Sequence, residues 1–200
     1  MTRLHRLGIL AGACALAAAC SLAPAPRPVA VYRLPPPDLP GLATRQALAL
    51  KIALPTTPAG LEGRRIPVTR DGLRIAALAG ARLEAPLPQL LRERLAEALR
   101  RDGRIAWVLG GEAIAAADLE LAASVREFVV DLRGRPTASV RLEATLVALA
   151  GRRILAQRAF AARAEAAGER PDQLVTALAA ALDQLALELA GWVEEAAARG

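Results

Sequence analysis

Histidine and cysteine are almost absent from this sequence, and their positions limit the chemistry that the protein can perform. The 200 residues contain one histidine, His5, and two cysteines, Cys14 and Cys20, so residues 21–200 contain neither type. Without them that part of the chain cannot form a Ser-His-Asp or Cys-His nucleophile, and it lacks the nitrogen and sulfur ligands that zinc usually takes. We therefore expect no enzyme of those classes, no metal site, no cofactor and no disulfide.

Aromatic residues are also scarce, and the positive charge is almost entirely arginine. The chain has two Trp, two Phe and one Tyr, a lone lysine at Lys51, and a formal net charge of +6. Proteins that bind nucleic acid concentrate basic charge on one face and stack bases on aromatic side chains. Here the arginines alternate with Asp and Glu. We interpret the charge as a solvated mixed surface and expect no nucleic-acid partner.

The first twenty residues combine a basic start, an apolar run and a cysteine. Arg3 and Arg6 precede an apolar run over 7–19, and Cys20 follows three alanines. This order is that of a secretory signal peptide, and its small-small-Cys ending resembles the lipobox of bacterial lipoproteins, whose cysteine is acylated and becomes the first residue. The resemblance implies a lipoprotein signal peptide over 1–19 and a lipid anchor on Cys20.

Two other interpretations of this segment remain open. The apolar run is shorter than the ~20 residues that a transmembrane helix needs, so a spanning anchor is not favoured. Cys14 is a second candidate for acylation, although it leaves only 7–13 as the apolar region. Removal of the signal with Arg3 and Arg6 lowers the formal charge from +6 to +4. Ser21 is not the aspartate that marks inner-membrane retention in many enterobacterial sorting systems, which favours the outer membrane.

Proline dominates the segment that follows the cysteine. Half of the fourteen prolines lie within 21–42, at positions 24, 26, 28, 35, 36, 37 and 40. Proline-rich chains extend at ~3.1 Å per residue, so we predict a tether over 20–42, with a weak edge strand within Val29–Leu34. A chain of this length and apolar content suits one domain, which we place at 43–200.

The first half of this domain is predicted to contain short strands and one amphipathic helix. The Asp71-Gly72 pair indicates a hairpin between two of the strands. Leucines at helical spacing predict a helix over Pro86–Arg101, with Gly103 just past its end. The predicted strands are Ala47–Pro55, Arg65–Thr69, Leu73–Ala77 and Ile105–Leu109.

Three longer strands in the second half predict an antiparallel meander with one wetted face. They are Asp118–Leu132, Thr137–Ala150 and Ile154–Arg163. The apolar parity of the first strand changes near Arg126-Glu127, which indicates a β-bulge. The second strand alternates cleanly, and its inward residues are Ala138, Val140, Leu142, Ala144, Leu146 and Ala148.

The C-terminus is predicted to be a long helix that begins at Pro171. Its apolar stripe comprises Leu174, Leu178, Leu182, Leu185, Leu189 and Trp192. We expect this stripe to pack on the sheet, and a lipid or partner groove is the alternative. The predicted fold is therefore α/β of the α+β type, a mostly antiparallel sheet packed against two main helices.

Several stretches, taken together and in this order, resemble the ABC-type transport auxiliary lipoproteins, the paraquat-inducible protein C group. The resemblance covers essentially the whole mature chain. It is carried by Tyr32-Arg33-Leu34, GLEGRRIPVTRDGLRI (60–75), ARLEAPLPQLL (81–91), DLELAASVREFVVDLRGRPTASVRLEATLV (118–147), ILAQRAF (154–160) and VTALAAALDQLALELAGWV (175–193).

The resemblance implies a non-enzymatic lipoprotein on the periplasmic side of the outer membrane. It implies partners as well, namely an MCE-domain protein and the components of an inner-membrane ABC transporter that moves lipids between the membranes. A homo-oligomer is left open. Two rival functions are a structural lipoprotein of unrelated envelope machinery and a carboxylate-only hydrolase. The hydrolase would use a pair such as Glu93 and Glu97. These residues are four positions apart on a solvated helix face, which is more typical of surface charges.

Overall fold

The structure is a computed structural model that describes residues 28–42, 46–111 and 116–199. The predicted signal peptide and Cys20 lie outside these residues. The described residues form eight strands, two α-helices and one short 3₁₀ turn at Ala150–Arg152. The strands are β1 Ala30–Tyr32, β2 Gln46–Ile52, β3 Arg65–Thr69, β4 Ala76–Leu83, β5 Ile105–Leu109, β6 Leu119–Asp131, β7 Thr137–Ala148 and β8 Arg153–Glu165; the helices are α1 Leu87–Asp102 and α2 Pro171–Ala198.

All eight strands belong to one sheet, in which β6 is the strand that joins two groups. One edge of β6 pairs antiparallel with β7, and β7 pairs antiparallel with β8. The other edge is shared, because the start of β6 pairs parallel with β2 and its end pairs parallel with β3. Outside these, β5 pairs with β2, β4 with β3, and β1 with β4. The two longest ladders are antiparallel, as predicted, and the parallel ladders are short.

The meander of β6, β7 and β8 confirms the predicted register. Val125 pairs with Leu142 and Glu127 with Arg141, so Arg126 is the extra residue of the predicted bulge. The five inward residues of β7 from Ala138 to Leu146 are buried. Hydrophobic alternation sets this register because a slip by one residue would turn the whole apolar face to water.

The first helix also follows its sequence signals. Helix α1 begins after Pro86 and ends at Gly103, which has φ of 81° and donates its backbone N–H to Leu99. Glycine accepts this left-handed conformation without a steric cost. The predicted helix is therefore confirmed to within one residue at each end.

The predicted strand Leu73–Ala77 is wrong over 73–75, although its last two residues lie in a strand and the hairpin itself is present. Strand β4 begins at Ala76 and pairs antiparallel with β3. The residues before it are held in a loop because the Asp71 carboxylate accepts the backbone N–H groups of Leu73 and Arg74, at 2.9 and 2.8 Å. A side chain that bonds nearby backbone competes with strand pairing.

Helix α2 covers the inner face of the meander. Its predicted stripe from Leu174 to Trp192 is buried and joins the same core as Leu142 and Leu146. Trp192 meets Phe160 of β8 edge to face, with ring centroids 5.5 Å apart. Among the described residues, this helix has the length and apolarity that could cross a membrane, but its apolar side is packed on the sheet. We therefore regard it as a core helix.

The segment Leu34–Leu42, which we call the strap, lies against the two helices. Leu34 and Pro37 are buried. Arg94 donates to the carbonyl of Pro35, and Arg101 Nη1 donates to the carbonyl of Pro37 at 2.7 Å. The Leu42 N–H donates to the Asp102 carbonyl at 2.7 Å. This part of the predicted tether is therefore held on the domain. Prolines supply no N–H groups, but their carbonyls accept bonds from arginines.

Substitutions on the two faces of β7 test the packing directly. Leu142→Ala and Leu185→Ala each remove a side chain buried between the sheet and α2, so each should lower the free energy of unfolding by ~2–5 kcal/mol. Urea denaturation measures this. Arg141→Ala and Glu143→Ala, on the wetted face, are the matched controls and should have little effect. A larger loss from the controls would contradict the register.

Candidate docking surface

Two adjoining cavities lie on the face of the meander that is turned away from the helices. The larger has a volume of about 750 Å³ and the smaller about 410 Å³. Ile75, Glu127 and Val129 line both, so the two form one continuous surface, which we call the groove. Leu73 and Arg163 are among the other residues that line the larger cavity, and Leu61 and Pro67 are among those that line the smaller. The groove thus joins a charged half to a more apolar half.

The loop over 70–75 forms one wall of the groove, and short-range bonds fix its shape. Besides accepting the two backbone N–H groups, the Asp71 carboxylate pairs with Arg74 at 2.7 Å. These bonds lower the pKa of Asp71 to about 2, and the hydrogen bond from the backbone N–H of Arg74 contributes most. Because the pKa of Asp71 is lower in the folded protein, this contribution to stability is complete above the ordinary pKa of 3.8 and declines as the pH falls from there through about 2. The loop is therefore fixed at any pH near neutrality.

Gly72 allows the loop to approach the neighbouring turn. It has φ of +77°, and a Cβ built on it would lie 2.5 Å from Arg133 Nη1. The backbone N–H of Gly72 also donates to Thr69 Oγ1 at 2.9 Å. The Asp71-Gly72 pair that predicted a hairpin thus lies in the loop between β3 and β4, and this loop forms part of the groove.

Ion pairs cover the floor of the groove. Arg133 holds Asp131 at 2.6 Å, and this bond, with a smaller contribution from the charge of Arg163, lowers the pKa of Asp131. Glu127 lies 3.6 Å from Arg141. Most charged side chains of the groove are therefore already paired with each other or with a neighbour. Such a surface is better suited to contact with a partner molecule than to strong binding of a single ion.

The sequence-predicted site residues do not meet at this groove. Glu93 and Glu97 lie on α1, where Glu93 pairs with Arg92 at 3.1 Å and Glu97 with Arg101 at 2.9 Å. Each carboxylate pairs with an arginine on the helix surface, which does not support the hydrolase alternative. In the described part of the chain, no three His, Cys, Asp or Glu side chains are grouped to hold a metal. Cys20 lies outside the described residues, so its role stays a prediction.

Sequence reasoning missed two features, and each left a signal. The alternation of Leu73 and Ile75 predicts a strand, yet both residues follow the Asp71-Gly72 pair in the loop and are 90% and 63% exposed. Arg94 stands among the buried positions of α1 and forms an ion pair with Asp183 of α2 at 2.6 Å. An arginine on an apolar helix face is the signal for such a buried pair.

Comparison with known proteins gives a consistent result. A family model described as ABC-type transport auxiliary lipoprotein component matches residues 32–190. A crystal structure of a Xanthomonas campestris protein of the DUF330 family superposes with a TM-score of 0.76 at 24% identity, covering 85% of this chain and 98% of that one. A hypothetical protein from Chlamydia trachomatis gives 0.52 at 12% identity, covering 76% and 99%. At these identities the likeness shows the fold alone. None of the curated proteins compared with the chain matches it.

Replacing Gly72 tests whether the loop needs its left-handed residue. Gly72→Ala should lower the free energy of unfolding by ~1–2 kcal/mol, because an L-residue is strained at positive φ. Gly134→Ala, in the neighbouring turn with open space around its Cα, is the matched control and should change stability little. Urea denaturation of both variants gives the comparison. Equal stabilities would mean that the loop relaxes freely and is not a fixed wall.

Proposed function

The chain belongs to the family of ABC-type transport auxiliary lipoproteins, and from this membership we propose that it is a lipid-anchored accessory component of an MCE-type lipid transporter. The observation that carries the proposal is the family match over 32–190, preceded by a cysteine at position 20 after a signal-like segment. The family is one of transport auxiliary proteins and not a class of enzymes. A lipoprotein of this kind is anchored to a membrane on its periplasmic side.

The anchor and its membrane are the first part of the proposal. Cleavage before Cys20 would leave an acylated residue 20 as the N-terminus, joined to the domain by a short segment that begins with Ser21. Because Ser21 is not the aspartate of inner-membrane retention, we propose that the anchor lies in the outer membrane. The signal peptide then covers 1–19.

Docking to a partner protein is the second part. The residues from 21 onward lack histidine and cysteine, and Glu93 and Glu97 are paired with arginines. What the domain offers is a groove of two joined cavities with largely paired charge. Such a surface supports binding more than catalysis, in keeping with an accessory that helps an MCE-domain protein and an ABC transporter to move lipid between the two membranes.

The anchor is tested by substitution of the two cysteines. Cys20→Ser should remove acylation and leave an uncleaved or soluble product, whereas Cys14→Ser should leave the mature protein unchanged. Mass spectrometry of the mature N-terminus and fractionation of the two membranes supply the readouts. Acylation at Cys14, or recovery mainly in the inner membrane, would contradict the anchor as proposed.

The partner is tested by purification of the acylated protein after cross-linking in intact cells. We expect an MCE-domain protein to be recovered with it, and its amount to fall for Cys20→Ser, which removes the anchor without altering the domain. If the protein is acylated and reaches the outer membrane but is recovered only with envelope proteins of other kinds, the structural alternative is correct and the transport role is wrong.

A further inference from the structure

Leu73 and Ile75, which we call the apolar tip, project from the loop over 70–75 into solvent. They are 90% and 63% exposed, although the bonds to Asp71 hold the loop in one shape. Single exposed apolar residues are common and need no explanation. Two exposed apolar residues on an ordered loop need an explanation only if they lie at a place where they could contact something. They do, because the N-terminal chain leaves the domain toward the same end of the sheet.

The chain that leads back to the anchor leaves the domain toward the tip. Strand β1 pairs parallel with β4, with Ala30 opposite Ala81 and Tyr32 opposite Leu83. Residues before Ala30 therefore leave β1 in the direction of Ala76, where β4 begins. Ile75 directly precedes that residue. The last residues of β3 and β6 lie at the same end of the sheet. The end of β3 pairs with the start of β4 and also pairs parallel with the end of β6.

The remaining chain is short compared with the sheet. Eight peptide units separate Cys20 from Pro28, and a fully extended chain spans at most ~3.3–3.6 Å per residue, or about 28 Å. The opposite end of the sheet, where β6 begins and β8 starts, lies roughly 30 Å behind Pro28 at ~3.3 Å per strand residue. With Cys20 in a membrane, the tip end of the sheet can therefore lie at the bilayer without strain on the intervening chain. The opposite end could do so only if that chain were fully extended.

We propose that the apolar tip contacts the lipid surface of the membrane that holds Cys20. This inference rests on the lipid anchor of the proposed function. The geometry brings the tip to the bilayer, and burial of Leu73 and Ile75 in the interface removes from water part of the apolar surface that the domain exposes. Contact by two side chains is weak alone, but an anchor converts it to an intramolecular event at high effective concentration.

The charges around the tip favour a zwitterionic lipid surface. Arg74 pairs with Asp71 at 2.7 Å, Arg133 with Asp131 at 2.6 Å, and Arg70 with Glu169 at 3.8 Å. Positive and negative groups are therefore balanced. A guanidinium has five N–H donors, so these arginines can also donate hydrogen bonds to a lipid phosphate. The lipid surface that fits is one of headgroups carrying both charges, and the larger cavity of the groove, which both tip residues line, then opens beside it.

Single cysteines report the position of the tip, because the mature chain with an acylated Cys20 has no other free thiol. Ile75→Cys carries a nitroxide label at the tip, and Ile154→Cys is the matched control, since Ile154 is also 63% exposed and lies at the opposite end of the sheet, in β8. Each acylated full-length protein is placed on phosphatidylcholine vesicles. Collisions with oxygen, which enters bilayers, and with a water-soluble nickel chelate are measured by electron paramagnetic resonance.

We expect the label at 75 to lose its accessibility to the chelate and gain accessibility to oxygen, while the label at 154 remains in water. Adding Leu73→Glu should return the label at 75 to water. Equal chelate accessibility at the two positions, with Cys20 acylated by mass spectrometry, would overturn this inference and leave the proposed function intact. A mature protein without acylated Cys20 would overturn both. Thermal melts matching the parent protein show that the variants are folded.

Discussion

The ion pair between Arg94 and Asp183 joins three pieces of the chain that are distant in sequence. Arg94 is 5% exposed and Asp183 16%, and a guanidinium buried to this degree is costly unless it is paired and hydrogen-bonded. Burial lowers the pKa of Arg94, while the charge of Asp183 acts in the opposite direction. Arg94 also donates to Pro35, and the Asp38 N–H donates to Asp183 at 3.3 Å. One pair thus holds α1, α2 and the strap together.

The position of the strap links the fold to the proposed role. The prolines of the strap have carbonyls but no N–H groups, so this segment is poorly suited to pair as a strand. Arginine side chains from α1 hold it instead. The strap follows β1, so holding it also holds the edge strand from which the chain returns toward Cys20. The first described residues therefore leave the domain at the end of the sheet that carries the groove and the apolar tip, which is the end that the proposed anchor on Cys20 would bring to the membrane. In the proposed accessory role, this placement is what would present the groove to a partner.

Local signals were sufficient for much of this fold and insufficient for the surface. The alternation in β7, the bulge at Arg126 and the stripe of α2 each follow from the chain's own periodicity, so their prediction succeeded. The parallel pairing of β6 with both β2 and β3 is set by contacts far apart in sequence, which no local pattern encodes. The loop at Leu73 was read as strand because its apolar residues alternate, while the Asp71 carboxylate, a side-chain effect, decided its shape. The strap was taken for free chain because composition does not show where arginines will meet its carbonyls.

Hydrogen exchange in the strap tests most directly whether the buried pair holds the strap against the two helices. Arg94→Ala leaves the Asp183 carboxylate without its partner and the Pro35 carbonyl without its donor. We predict that the amides of Asp38 and Leu42 then exchange much faster, while those of β6 and β7 stay protected. Arg92→Ala, which removes only a surface pair with Glu93, should leave the strap as it is. Unchanged strap exchange in Arg94→Ala would contradict the account.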